Sequence, residues 1–128
     1  MKIKLFIVSI LFLMCAAGFT SAREKTLFMC SGTEPFWNAE VTGTMVKFHL
    51  MAEDSVIFSY SEILKAQGVG PDYIRIFKLE NDKVKPAYLI IKQTEKCKCS
   101  DGMSDNEYEY ESILIMDKII YSGCANKK

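Results

Sequence analysis

The chain has 128 residues, with sixteen Lys and Arg against sixteen Asp and Glu, one His and five Cys. That length suits one domain, and the balanced charge offers no electrostatic footing for nucleic acid or an anionic membrane surface.

Residues 1–22 read as a cleaved export signal. Lys2 and Lys4 precede a nearly unbroken apolar run over residues 5–15, and Thr20-Ser21-Ala22 supplies small residues before Arg23. The apolar run is short of the roughly 20 residues that a membrane-crossing helix needs, and no later segment approaches that length. Cys15 raises the alternative of a lipid anchor, but the bulky Met14 stands where a lipobox wants a small residue. What remains is a single β-rich exported domain, residues 23–128. Without Lys2 and Lys4, fourteen basic residues face sixteen acidic ones, a net charge of about −2.

Four cysteines stay in that domain: Cys30, Cys97, Cys99 and Cys124. An even count in an exported chain predicts disulfides. Pairing Cys97 with Cys99 would be strained, since neighbours at i and i+2 in an extended chain lie about 7 Å apart. Two pairings stay open: Cys30–Cys97 with Cys99–Cys124, and Cys30–Cys99 with Cys97–Cys124. Zinc is disfavoured, because its sites use paired Cys-x-x-Cys clusters and only one Cys-x-Cys occurs here.

In chain order, residues 26–30 form a first short apolar strand, broken by Ser31-Gly32-Thr33-Glu34-Pro35. Residues 36–41 alternate, with Trp37, Ala39 and Val41 on one face, and Val46, Phe48 and Leu50 resume an apolar face after the turn at residues 42–44. A third strand covers residues 56–60. Residues 61–67 have a plausible N-cap and predict one helical turn, ended by Gly68-Val69-Gly70-Pro71. Residues 73–79 and 87–91 are strand-like, with Ile74 and Ile76 set against Tyr73, Arg75 and Phe77. Residues 112–116 and 119–124 flank Asp117-Lys118 as a hairpin. Roughly seven or eight short strands at spacings near ten residues predict an all-β fold, a small antiparallel β-barrel or sandwich with two disulfides and at most one short helical turn. Trp37, Phe48, Phe58, Ile76, Leu89 and Leu114 are the expected core.

Two stretches carry a resemblance. Gly32-Thr33-Glu34-Pro35-Phe36-Trp37, together with Cys99-Ser100-Asp101-Gly102-Met103-Ser104-Asp105, Tyr108 and the later Gly123-Cys124-Ala125, resembles a family of small uncharacterised bacterial envelope proteins that includes lipoproteins. The resemblance implies an exported β-rich domain in the periplasm or cell envelope and brings no catalytic residues with it. Its paired cysteines map onto Cys99 and Cys124, which favours Cys30–Cys97 as the second bond.

Read as chemistry, Glu34 beside Phe36 and Trp37 is either a buried acid with a raised pKa or a carboxylate capping backbone N–H groups. As an acid it would need Asp101 or Asp105 as a second carboxylate in a hydrolase. Asp101, Asp105 and Glu107 offer oxygens at i, i+4 and i+6 for a calcium-like cation. The alternative there is an Asx turn with Gly102 at positive φ. Glu107, Glu109 and Glu111 alternate with Tyr108 and Tyr110, an acidic edge with aromatic anchors that suits a basic protein partner. His49, the only histidine, has no Ser or Cys nucleophile in a recognisable pattern, and no phosphate-binding glycine loop is present. These features point to a non-catalytic exported binding module with no cofactor, whose partner is an envelope ligand or protein. A lysozyme-inhibitor-like role is one specific form, by analogy of fold class alone.

Overall fold

The structure is a computed structural model that describes residues 22–128. The expected export signal, up to residue 21, and Cys15 lie outside the described residues. Eleven strands follow in order: β1 (Phe28–Thr33), β2 (Phe36–Val41), β3 (Met45–Leu50), β4 (Val56–Ser59), β5 (Ile63–Lys65), β6 (Ile74–Leu79), β7 (Ala87–Gln93), β8 (Cys99–Ser100), β9 (Glu107–Tyr108), β10 (Tyr110–Met116) and β11 (Ile119–Lys127). Nine of them form one antiparallel sheet in the order β4-β3-β2-β1-β11-β10-β7-β6-β5, and β8 and β9 form a separate two-stranded ribbon.

The large sheet curls into a barrel-like shape because alternate residues of almost every strand are apolar and must share one interior. Phe28 and Cys30 of β1, Trp37, Ala39 and Val41 of β2, and Val46 and Phe48 of β3 point inward. Phe58, Phe77, Leu89, Ile91, Leu114 and Ala125 do the same from the remaining strands. Trp37, Phe48 and Tyr121 pack as tilted rings with centroids 5.2–6.3 Å apart. Phe28 meets Tyr110 edge-on at 5.4 Å, and Tyr60 meets Phe77 edge-on at 5.0 Å. Such pairs add about 0.5–1.5 kcal/mol each beyond the area they bury.

The two edges of the curl meet at one point. β4 pairs with β3 and β5 pairs with β6, and between them Ser59 exchanges backbone hydrogen bonds with Glu80, at 3.0 and 2.8 Å. The Tyr60 hydroxyl, turned inward beside this seam, donates to the Thr42 carbonyl.

Four expectations are corrected. The strand count is eleven rather than seven or eight, because Ile63–Lys65 form a strand of their own, β5, and the acidic loop adds β8 and β9. Residues 61–67 hold strand β5 and not a helical turn: Ile63 and Leu64 pair with Phe77 and Ile76, so the ladder outcompetes a local helix. The one helical turn among the described residues is a 3-10 turn at Glu95–Cys97. In β6 the buried side chains are Phe77 and Leu79, while Ile76 is half-buried on the outer face; with both faces apolar, alternation alone could not choose the inward set.

The fourth correction is covalent. The structure has the disulfide Cys99–Cys124, whereas Cys30 is a free thiol, so the second expected bond, Cys30–Cys97, is absent. The cause is the side of the sheet. Cys30 faces the core between Ala39 and Ala125 of the neighbouring strands. Cys124 is next to the inward Ala125 and points outward, where the ribbon meets it. Burial pushes the Cys30 thiol up to about 12, against a smaller opposite effect of its hydrogen bond with Ser112.

Candidate functional site

The two motifs of the sequence meet where β1, β2 and β11 adjoin. Gly32 and Gly123 stand together there, and both are required by close approach. A Cβ at Gly32 would overlap Trp37 Nε1 and the Ser122 carbonyl oxygen; one at Gly123 would overlap the Ser31 carbonyl. The space they leave lets the buried Trp37 indole donate to the Ser122 carbonyl at 3.2 Å, tying β2 to β11 across β1. Glycine and tryptophan of the first motif and glycine of the second thus form one lock.

The ribbon is fastened over this lock in two ways. The Cys99–Cys124 disulfide joins β8 to β11, and the Thr33 hydroxyl donates to the Asp101 carbonyl at 3.0 Å. The loop at its tip is organised by the Asp101 carboxylate. Oδ1 accepts the backbone N–H groups of Met103 and Ser104, at 3.0 and 2.9 Å. Oδ2 accepts the hydroxyls of Ser104 and Tyr108, at 2.8 and 2.9 Å. Gly102 has φ +73, in the region that favours glycine. These donors, the backbone N–H groups of Met103 and Ser104 first, hold the Asp101 carboxyl well below the usual carboxylate range. The same contact with Asp101 raises the Tyr108 phenol.

Between ribbon, β1–β2 turn and the outer face of β10–β11 runs an open groove of about 620 Å³. Glu34 and Thr33 stand on one side, Ser100 to Met103 on another, and Glu111, Ile113 and Ser122 on the sheet. Three carboxylates line it (Glu34, Asp101 and Glu111) and no Lys, Arg or His does. Glu34 is exposed at the β1–β2 turn, so of its two alternatives the buried acid does not hold: Trp37 goes into the core, and Phe36, on the opposite face of β2, is 43% exposed. Asp105 and Glu107 are exposed on the ribbon outside the groove. Of the two tyrosines in the acidic stretch, Tyr110 is a core residue and Tyr108 is engaged with Asp101, so neither is a free anchor.

The chemistry available follows from these bonds. Asp101 is ionised and fully engaged, which removes it as a proton donor at neutral pH. Two of the cysteines are joined to each other and the Cys30 thiol is sealed in the core, so neither is a ready nucleophile. Among the described residues no group of three or more His, Cys, Asp or Glu side chains converges as a metal site, and of Asp101, Asp105 and Glu107 it is Asp101 that forms the Asx turn, with the N–H groups of Met103 and Ser104. No helix among the described residues is long and apolar enough to cross a membrane.

Sequence reasoning singled out Glu34, Asp101 and Gly102 on this groove, and included Glu111 in the acidic stretch. It missed Ile113 and Ser122. The signal for Ile113 was the unbroken apolar run Ile113-Leu114-Ile115, which leaves apolar side chains on the outer face as well as the inner. No protein-family model, curated protein or solved structure matches the chain.

Proposed function

We propose that this chain is a non-catalytic, exported binding module of the cell envelope, and that its groove takes a basic segment of a protein partner. The observation that carries this is the local charge. On a chain with equal numbers of acidic and basic residues, one 620 Å³ groove collects three carboxylates and no cation. Asp101 supplies a fixed negative charge, and the exposed Glu34 and Glu111 are free to pair with incoming Lys or Arg. A rigid frame supports them: the disulfide and the Gly32–Gly123–Trp37 lock set the groove walls before any ligand arrives, which lowers the ordering cost of binding. Inhibition of a basic lysozyme is the specific form that fits such a surface, and the resemblance to envelope proteins agrees with the compartment. A hydrolase acting through Glu34 with Asp101 or Asp105 is not favoured, since both Asp101 oxygens are engaged in the ribbon's own hydrogen bonds and Asp105 lies outside the groove.

The test is calorimetric titration with a basic lysozyme and with a lysine- and arginine-rich peptide. Binding is expected at low salt, falling steeply as salt approaches the range where the Debye length is about 8 Å. Glu34→Lys with Glu111→Lys is expected to weaken it at least tenfold, about 1.4 kcal/mol. Equal binding by the double variant would remove the groove from consideration.

A further inference from the structure

The outer surface of the barrel changes character from one side to the other. On β1, β2 and β3 an outward cross-strand row is made of Ser31, Asn38 and His49, the polar choice for a sheet face in water. Beyond β11 the pattern reverses. One row runs from Ser122 of β11 through Ile113 of β10, Ile90 of β7 and Ile76 of β6 to Leu64 of the edge strand β5. The row beside it joins Ile120, Ile115 and Tyr88. Leu64 is 43% and Ile120 66% exposed, and the isoleucines between them are half-buried. An aliphatic face several strands wide marks an interaction surface.

Its position identifies the occupant. Ser122 and Ile113, the first two members of the row, also line the acidic groove, and Glu111 is the next outward residue of β10. The ribbon and the β1–β2 turn wall the groove on the β11 side, whereas on the β7 side its floor continues directly into Ile90, Ile76 and Leu64. A ligand that sets cations against Glu34 and Glu111 therefore has the aliphatic row immediately beside it. From Ile113 to Leu64 is three strand spacings, about 14 Å. A face of that breadth and two rows deep fits the apolar surface of a folded protein, while a basic peptide has no side chains to place on it. Charge sets the orientation: the carboxylates gather at the groove, and the outward charges of β6 and β7 are Lys78 and Lys92, so a partner's basic part is drawn to the groove and its apolar part to the row. An apolar centre with a charged rim is also the usual anatomy of a protein interface, which covers about 800 Å² on each partner. We infer that the partner of the groove is a folded basic protein, and that the row from Ile113 to Leu64 is the apolar part of its footprint. The inference rests on the groove reading and adds to it the class of partner.

Calorimetric titration with two probes tests it: a basic lysozyme, which is folded, and a peptide of lysine and arginine, which has no apolar surface. The wild type is expected to bind the lysozyme at least about tenfold more tightly than the peptide. Its heat-capacity change should be the more negative of the two, since that change reports buried apolar area. Ile90→Gln and Leu64→Gln lie on the row outside the groove. Each is expected to weaken the lysozyme about fivefold or more and to leave the peptide's affinity and the circular dichroism spectrum unchanged. Neither substitution alters charge, so the salt dependence should stay that of the wild type. A peptide that binds as tightly as the lysozyme overturns the inference, and so does lysozyme binding that survives both substitutions. Sedimentation of the chain alone at twice its mass, returned to the monomer by Ile90→Gln, would assign the face to a second copy and overturn it as well. In all three cases the groove reading stands. If neither probe binds the wild type, or if Glu34→Lys with Glu111→Lys keeps the peptide, the groove reading falls and the inference with it.

Discussion

Asp101 folds the ribbon tip around its own charge. Its carboxylate accepts four hydrogen bonds, and hydrogen bonding to the charged form lowers a carboxyl pKa. The folded pKa therefore lies below the unfolded one, and stability from this group is present above the ordinary carboxyl pKa of about 4 and lost as pH falls below it. Asp101→Asn is expected to lower the melting temperature at pH 7. The gap from wild type should shrink steadily as the pH is taken from about 4 towards 2, because the unfolded carboxyl takes up its proton there while the folded one stays ionised, and it closes only once the pH falls through the lowered folded pKa. A gap that stays constant over that range would mean that shape, not charge, makes the contribution. At this scale the sequence was readable wherever a residue acts on its near neighbours: the Asx turn, the positive φ of Gly102 and the turn at residues 117–118 all follow from short-range chemistry. Gly32 and Gly123 were recognisable only as motif residues. Gly32 makes room for Trp37 and the Ser122 carbonyl, and Gly123 for the Ser31 carbonyl, contacts that the long stretch of chain between the glycines conceals.

Among the elements, the ribbon has the weakest claim to independent order. β8 and β9 share two register pairs, Cys99 with Tyr108 and Ser100 with Glu107, and a hairpin that small is marginal in water. Its attachment to the barrel is the Cys99–Cys124 bond, 25 residues apart, helped by the Thr33 hydroxyl. Replacing both cysteines by Ala is expected to cost about 3–4 kcal/mol by the loop-closure relation. Hydrogen exchange locates the loss: amides of residues 99–109 should become fast while those of β1, β2, β10 and β11 stay protected. Uniformly faster exchange throughout the chain would show instead that the bond holds the barrel itself. The elements also show how far alternation carries. β2 and β3 have one apolar and one polar face, and their inward residues Trp37, Ala39, Val46 and Phe48 were plain in the sequence. β6 was read the wrong way round, with Ile76 inside, because Ile74 and Ile76 compete with Phe77 and Leu79 and a one-residue choice exchanges the faces. Cys30 was assigned to a disulfide by counting thiols, and its position on the inner face of β1 decides otherwise.

At the scale of the whole molecule, the sheet is continuous everywhere except at one seam. From β4 through β1 and β11 to β5, neighbouring strands are joined by extended ladders, so that closure rests on the bend between β4 and β5. There, the Ser59–Glu80 bridge and the bond from Lys78 N–H to the Glu62 carbonyl carry the backbone pairing, with the Lys78–Glu62 ion pair outside it. That pair is exposed, and such pairs contribute little. The seam is thus where the barrel is expected to open first, since local openings begin where solvent-accessible hydrogen bonds have few buried contacts behind them. Ser59→Pro isolates this step, because proline removes the N–H that bonds Glu80 while leaving the core residues Phe58 and Tyr60 in place. Loss of one such bond with added backbone constraint should lower stability by about 1–3 kcal/mol in urea unfolding. Exchange should accelerate in β4, β5 and the first half of β3, but not in the β1–β11–β10–β7 block, whose ladders do not pass through the seam. If the block accelerates equally, opening and global unfolding are one event, and the curled sheet behaves as a fully closed barrel.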